Sequence, residues 1–192
     1  MGMKYHKDII EIIFYARAGQ GAKTAAEIIA QAATSEGKYI QAFPYYGPER
    51  SGAPTKAYVR ISENPIRTHE PITDPDLVVV LDETLLSSQE VTTNLDKNEA
   101  LIIATDKAAE EIRSLVKNFE GKIYPVDALS MALKITGQPN LNSVILGKII
   151  KISEITGLDS VTGEFRKIFE QKIGKEPTDK NILAIQAGYD SL

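Results

Sequence analysis

Residues Asp76–Leu81 read DLVVVL, an apolar run that ends against Asp82. A run this short, rich in β-branched residues and free of polar interruptions, has no side to offer to water. It reads as a strand buried on both faces, as in a parallel sheet covered by helices. Ala100–Ala104 (ALIIA) repeats the pattern, and Lys122–Val126 does so more weakly. Ile9–Phe14 (IIEIIF) reads as a further buried strand.

The segments between these runs follow a helical period. From Ala22 to about Gly37, the residues Ala22, Ala25, Ala26, Ile29 and Ala33 fall on one face. That face is mostly alanine, so the helix should pack close to its neighbour, and Gly37 suits the position just past its end. Lys107–Asn118 is helical too. Lys38–Phe43 and Thr55–Ile61 read as two more strands, the second (TKAYVRI) alternating apolar and polar, and residues 38–62 fit an antiparallel pair. From Asp127 the pattern is helical almost to the end, broken at Gly137–Pro139, Gly157 and Gly174. Leu141, Ile145, Ile149 and Ile152 mark one face of a helix there, and Val144, Leu146 and Ile150 widen it, so that helix should be buried on several sides. The order implies an α/β fold, a three-layer α/β/α arrangement with a mostly parallel sheet and a helical C-terminal half. Its 192 residues form a single domain, 1–192, with no repeat and no linker-like change in composition.

Composition narrows function by exclusion. The net charge of −4 gives no electrostatic case for nucleic acid or an anionic membrane as partner. No apolar run approaches the ~20 residues of a membrane span, and a cytoplasmic protein is expected. Cysteine is absent, which removes disulfides, thiolate zinc sites and cysteine-ligated iron–sulfur clusters. His6 and His69, the only histidines, are far apart, so neither a histidine metal site nor a catalytic triad is supported. No metal-binding and no catalytic residue is assigned. His69, beside Glu70, reads as an exposed loop residue, and the acids of Asp74–Asp82 are too scattered for a metal.

Two segments stand out. The first is the small-residue turn Arg17-Ala18-Gly19-Gln20-Gly21-Ala22-Lys23-Thr24, set between a strand and a helix. Backbone N–H groups and a helix N-terminus can hold an anion there, with Arg17 and Lys23 adding charge. A Walker A loop is excluded, since Ala22 separates Gly21 from Lys23 and Ala16 stands where a glycine is needed; a dinucleotide fingerprint is excluded by Thr24. A plain tight turn and an anion contact both remain open. The second is Gln41–Pro54, QAFPYYGPERSGAP, where Phe43, Tyr45 and Tyr46 crowd beside Glu49-Arg50 among prolines and glycines. A plain connection is short and polar. Tyrosine and arginine are enriched at interface centres, so Phe43, Tyr45, Tyr46, Glu49 and Arg50 are assigned to a contact with other subunits. Asp82 and Glu83 sit at a strand's C-terminal end, the ligand edge of an α/β sheet. Asp82 is read as a helix cap, as are Asp106 and Asp127.

The ordered set of Gly19-Gln20-Gly21, Thr24-Ala25-Ala26, Gly37-Lys38, Gln41-Ala42-Phe43-Pro44, Gly47, Glu49-Arg50 and Gly52-Ala53-Pro54 resembles the gamma subunits of the 2-oxoacid:ferredoxin oxidoreductases, of the pyruvate type above all. Asn142, Leu146-Gly147, Gly174-Lys175, Asn181, Ala184 and Gly188-Tyr189 continue the likeness to the C-terminus. Arg17 and Ala18 depart from it, since glycine is common there in the family. The resemblance implies one chain of an enzyme that turns pyruvate, coenzyme A and oxidised ferredoxin into acetyl-CoA, CO2 and reduced ferredoxin, with no activity for this chain alone. It implies alpha, beta and delta partner subunits, ferredoxin reached through the complex, and thiamine diphosphate, Mg2+ and iron–sulfur clusters held by those partners. Coenzyme A is then the co-substrate, and Arg17, Gly19, Gln20, Gly21, Lys23 and Thr24 would lie against it. An isolated chain would be open to self-association through surfaces meant for its partners. The competing readings are a stand-alone nucleotide- or CoA-binding regulatory module and an autonomous transferase built on the strand-end acids.

Overall fold

The computed structural model describes Met3, Tyr5 and residues 7–45, 52–116 and 118–191. Six strands form one sheet: β1 (Ile9–Arg17), β2 (Tyr39–Tyr45), β3 (Pro54–Ser62), β4 (Leu77–Val80), β5 (Ala100–Ala104) and β6 (Lys122–Val126). Their order across the sheet is β2-β3-β1-β4-β5-β6. The β1–β4, β4–β5 and β5–β6 pairs are parallel; β2–β3 and β3–β1 are antiparallel. The sheet is mixed and mostly parallel, with the antiparallel strands at one side.

Alternation along each strand divides the interior into two cores. Ile12, Phe14, Leu77, Val79 and Ile102 face one core; Ile13, Tyr15, Val78, Val80 and Ile103 face the other. The first core receives α1 (Ala22–Ser35), α3 (Ala128–Thr136), α4 (Asn142–Ser153), α5 (Leu158–Ile173) and α6 (Lys175–Asp190). Among the described residues, the second receives only a 3-10 turn, Glu83–Ser87, the short α2 (Ala109–Leu115), and irregular chain carrying Ile72, Val91 and Leu95. The three layers are therefore of unequal thickness, because almost the whole helical C-terminal half packs on one side.

The alanine face of α1 is buried as its spacing predicts, and burial extends to Ile28, Ala30 and Ala32. The multi-sided burial expected of α4 is found along nearly its whole length. There α4 crosses α6 with backbone against backbone. A Cβ on Gly147 would stand 1.8 Å from the Ile185 carbonyl oxygen, and one on Gly188 would stand 1.9 Å from that of Val144. Glycine at both positions is thus a packing requirement.

The structure corrects two boundaries and one cap. Strand β1 runs on through Ala16 and Arg17, because β3 continues to pair with it there, so the turn begins at Ala18. The helix expected over Lys107–Asn118 is only Ala109–Leu115. Its N-cap position is Ala108, not Asp106, and the Glu111 carboxylate accepts from the Ala108 N–H at 3.2 Å. Asp127 does cap α3, accepting from the Ser130 N–H. An unforeseen cap joins two distant helices. Glu36, just past α1, accepts from Thr156 Oγ1 and from the Gly157 N–H, both at 2.6 Å, at the start of α5. Partial burial works against ionisation of Glu36, but these bonds, Ser160 and Lys38 outweigh it and hold its pKa at about 2.

Candidate functional site

β1 and β4 are parallel neighbours, and the chain leaves them toward opposite faces. After β1 it enters α1, on the first core; after β4 it enters the 3-10 turn, whose Leu85 is in the second. In an open α/β sheet, the crevice at such a reversal, at the strands' C-terminal ends, is the usual ligand position. Here it holds Arg17, the last residue of β1, and Asp82, just past β4.

Arg17 Nε donates to Asp82 Oδ2 at 3.1 Å, Nη2 to Thr84 Oγ1 at 2.7 Å, and Nη1 to the Gly52 carbonyl at 3.1 Å. Gln20 closes the turn from within. Its Oε1 accepts from the Arg17 N–H at 2.7 Å and its Nε2 donates to Asp82 Oδ2 at 2.9 Å. The other Asp82 oxygen caps the 3-10 turn by accepting from the Thr84 N–H at 3.0 Å. The cap reading of Asp82 is therefore correct and covers one of its two oxygens. Burial alone would raise the Asp82 pKa; Thr84, Gln20 and Arg17 together hold it below the ordinary carboxylate value. A second network lies alongside. Glu83 accepts from Lys107 Nζ at 2.7 Å and from the Thr105 hydroxyl, which lowers its pKa as well.

The turn's glycines are in the left-handed region, Gly19 at φ +98° and Gly21 at φ +82°. At Gly21 space is short too. A Cβ there would stand 2.5 Å from Asn142 Nδ2, so the first residue of α4 abuts the start of α1. Beyond Gly21, α1 begins without a side-chain cap, and its leading N–H groups have no acceptor within the helix. Lys23 is exposed and pairs with Glu27 one turn on, at 3.6 Å; Thr24 is half-buried. Of the turn residues assigned from sequence, the structure brings Arg17 and Gln20 together on Asp82, while Gly21 packs against Asn142. Gly19 and Lys23 are exposed.

Of the contact residues assigned from sequence, Phe43 and Tyr45 are described, and Tyr46, Glu49 and Arg50 lie outside the described residues. Phe43 and Tyr45 flank Tyr58, with ring centroids 5.2 and 6.3 Å away. Tyr45 is 54% exposed. Lys56 lies over the Tyr15 ring at 4.5 Å, which extends this aromatic group toward β1. His69 is exposed, as expected. Among the described residues, no group of three His, Asp or Glu side chains is placed to hold a metal, and no helix is long and apolar enough to cross a membrane.

Sequence reasoning missed Arg60. It is 2% exposed and sits in a row across three strands, opposite Glu11 of β1 and Gln41 of β2. Its Nε donates to Glu11 Oε1 at 2.6 Å, Nη1 to Gln41 Oε1 at 3.3 Å, and Nη2 to the Glu70 carbonyl at 2.6 Å. The only signal was one charge in an alternating strand.

Comparison with known proteins gives a consistent family. Residues 11–191 match the family model described as pyruvate ferredoxin/flavodoxin oxidoreductase. The chain is 43% identical over 182 residues to the "Pyruvate/ketoisovalerate oxidoreductases common subunit gamma" of Thermococcus kodakarensis, covering 95% of this chain and 96% of that one. It is 39% identical over 190 residues to "Pyruvate synthase subunit PorC" of Thermotoga maritima, covering 99% and 98%. The crystal structure of the pyruvate oxidoreductase subunit PORC from Thermotoga maritima superposes with a TM-score of 0.86 at 38% identity, over 96% of this chain and 97% of that one.

Proposed function

The chain belongs to the pyruvate ferredoxin/flavodoxin oxidoreductase family, and from that premise we propose that it is the gamma subunit of a pyruvate synthase. The assembled enzyme would convert pyruvate, coenzyme A and oxidised ferredoxin to acetyl-CoA, CO2 and reduced ferredoxin. The observation that carries the reading is end-to-end similarity, in sequence and in fold, to a protein named as a subunit of that enzyme. The Thermococcus relative is named as common to pyruvate and ketoisovalerate oxidoreductases. That supports a chain that does not itself select the 2-oxoacid.

The residues present suit a subunit that carries no redox centre. With no cysteine, the chain offers no thiolate to an iron–sulfur cluster; it is the resemblance to the family that assigns clusters and thiamine diphosphate to alpha, beta and delta partners. What this chain contributes is a rigid layer and an anion-ready turn. We assign the uncapped first turn of α1, with Lys23 and Arg17 beside it, to the phosphates of coenzyme A. Asp82, Thr84 and Gln20 fix Arg17 before the ligand arrives, so little side-chain ordering remains to be done on binding.

Mass spectrometry of the complex captured from the native cell through this chain tests the subunit reading. Recovery of larger partner chains with pyruvate-dependent ferredoxin reduction is expected; an active lone chain overturns it. Titrating the assembled enzyme with coenzyme A tests the turn. The double variant Arg17→Ala, Lys23→Ala should raise the KM for coenzyme A roughly tenfold or more, given charge-assisted bonds of about 1.5–3 kcal/mol. An unchanged KM removes the assignment.

A further inference from the structure

The two lateral edges of the sheet are built differently. Hydrogen-bond parity shows which groups each edge leaves free. The Ala18 N–H bonds the Ala53 carbonyl, extending the β1–β3 ladder, so the odd-numbered residues of β3 bond β1 and the even-numbered ones bond β2. On β2, therefore, Tyr39, Gln41, Phe43 and Tyr45 spend their backbone groups on β3, and Ile40, Ala42 and Pro44 turn theirs outward. Among the described residues, no other backbone group bonds to them. At the opposite edge the Lys122 N–H bonds the Glu99 carbonyl, which turns Ile123 and Pro125 of β6 outward. That edge is five residues long, opens with a lysine and offers one outward N–H. It is blunted as sheet edges usually are. β2 is seven residues long, YIQAFPY, and carries no charge. Beside it an open depression of about 480 Å3 is lined by Ile40, Gln41, Ala42, Phe43 and His69.

We propose that β2 pairs edge to edge with β2 of a second copy of this chain, antiparallel, about a two-fold axis at Ala42. Each Ala42 then exchanges its N–H and carbonyl with its counterpart. Each Ile40 N–H reaches the opposite Pro44 carbonyl, and the missing N–H of Pro44 falls at the end of the ladder, where the loss is least. The two-fold operation sets Tyr39 opposite Tyr45 and Gln41 opposite Phe43, so no like charges meet. This self-complementarity selects a second copy as occupant, because an isologous interface needs one patch that pairs with itself. The inference rests on the sheet and is independent of the coenzyme A assignment.

Light scattering on the isolated chain and on the assembled complex, with and without edge variants, tests the pairing. Ala42→Pro deletes an outward N–H while leaving the β3 ladder whole, and should convert dimer to monomer with the circular dichroism spectrum unchanged. Tyr39→Lys, Tyr45→Lys places like charges opposite each other and should also give monomer. Tyr39→Lys, Tyr45→Glu places opposite charges there and should restore the dimer. A wild-type chain that is monomeric throughout, or a dimer indifferent to all three variants, overturns the proposal. So does a photo-cross-linker at Tyr39 that captures a different subunit of the complex.

Discussion

Arg17 and Arg60 each spread one guanidinium over three acceptors, a carboxylate, a neutral side-chain oxygen and a backbone carbonyl. Their settings differ. The Arg60 side chain is 3% exposed and its carboxylate partner Glu11 17%. Arg17 is 33% exposed and sits at the C-terminal end of β1. The same bonding pattern serves opposite ends in these two places. At Arg60 it compensates a charge that cannot reach water, so its removal is a structural event. At Arg17 water already screens the charge, so its bonds fix a direction and add little to stability.

Arg60→Ala breaks the comparison most forcefully. Removing one partner of a buried pair leaves the other uncompensated, and the expected cost is about 3–5 kcal/mol of unfolding free energy. Arg17→Ala is expected to cost about 1 kcal/mol or less. Urea denaturation of both variants checks the ranking, and equal losses would show that the two clamps are one kind of feature. Arg60→Met sharpens the test, since an apolar replacement of similar length keeps the packing and still leaves Glu11 unpaired; it too must destabilise strongly.

The acids at the two sites should titrate with opposite signs. Beside the Arg60 row, Asp76 accepts from the Glu11 N–H at 2.8 Å, and burial raises its pKa despite that bond and Lys7. Asp82 is held low. A raised carboxylate is neutral in both states at low pH, and its contribution worsens as pH climbs from the unfolded value near 3.8 through the folded one. A depressed carboxylate contributes fully above 3.8, and that contribution is lost as pH falls through its folded pKa. Relative to the wild type, Asp76→Asn should therefore look better at pH 7 than at pH 3, and Asp82→Asn worse. Urea midpoints at the two pH values measure both. Slopes of the same sign would mean that Asp76 is solvated after all.

The difference between the arginines also marks where sequence reading reached and where it stopped. DLVVVL and ALIIA announce β4 and β5 because a strand buried on both faces has a purely local signature. The breaks at Gly137, Gly157 and Gly174 are local too, and they separate α3 to α6 as read. Arg60 defeats the method because its face is covered by the irregular stretch between β3 and β4, which has no period to detect. In TKAYVRI it looks like any outward polar residue. Asp82 was legible only as a cap, since a cap acts over two residues while Arg17 and Gln20 reach it across more than sixty. At Asp106 the cap rule misled. A carboxylate after a strand is a cap only if the helix starts at once, and α2 starts at Ala109.

Lys23→Ala should have the smallest effect on stability, and it isolates the functional half of the comparison. Lys23 is 58% exposed and its only ion pair among the described residues, with Glu27, spans 3.6 Å between two exposed side chains. Losing it should shift stability by about 0.5 kcal/mol or less. If the coenzyme A phosphates approach the α1 N-terminus, Lys23 attracts them through water, and such attraction fades once the screening length drops to about 3 Å near 1 M salt. The KM for coenzyme A in the assembled enzyme should therefore rise severalfold in Lys23→Ala at low ionic strength and converge on the wild-type value as salt is added. Arg17, held by fixed bonds at the crevice, should keep most of its effect at high salt. A Lys23 effect that salt does not touch would mean a direct, desolvated contact, and the division between an exposed steering charge and a fixed one would then have to be redrawn at this turn.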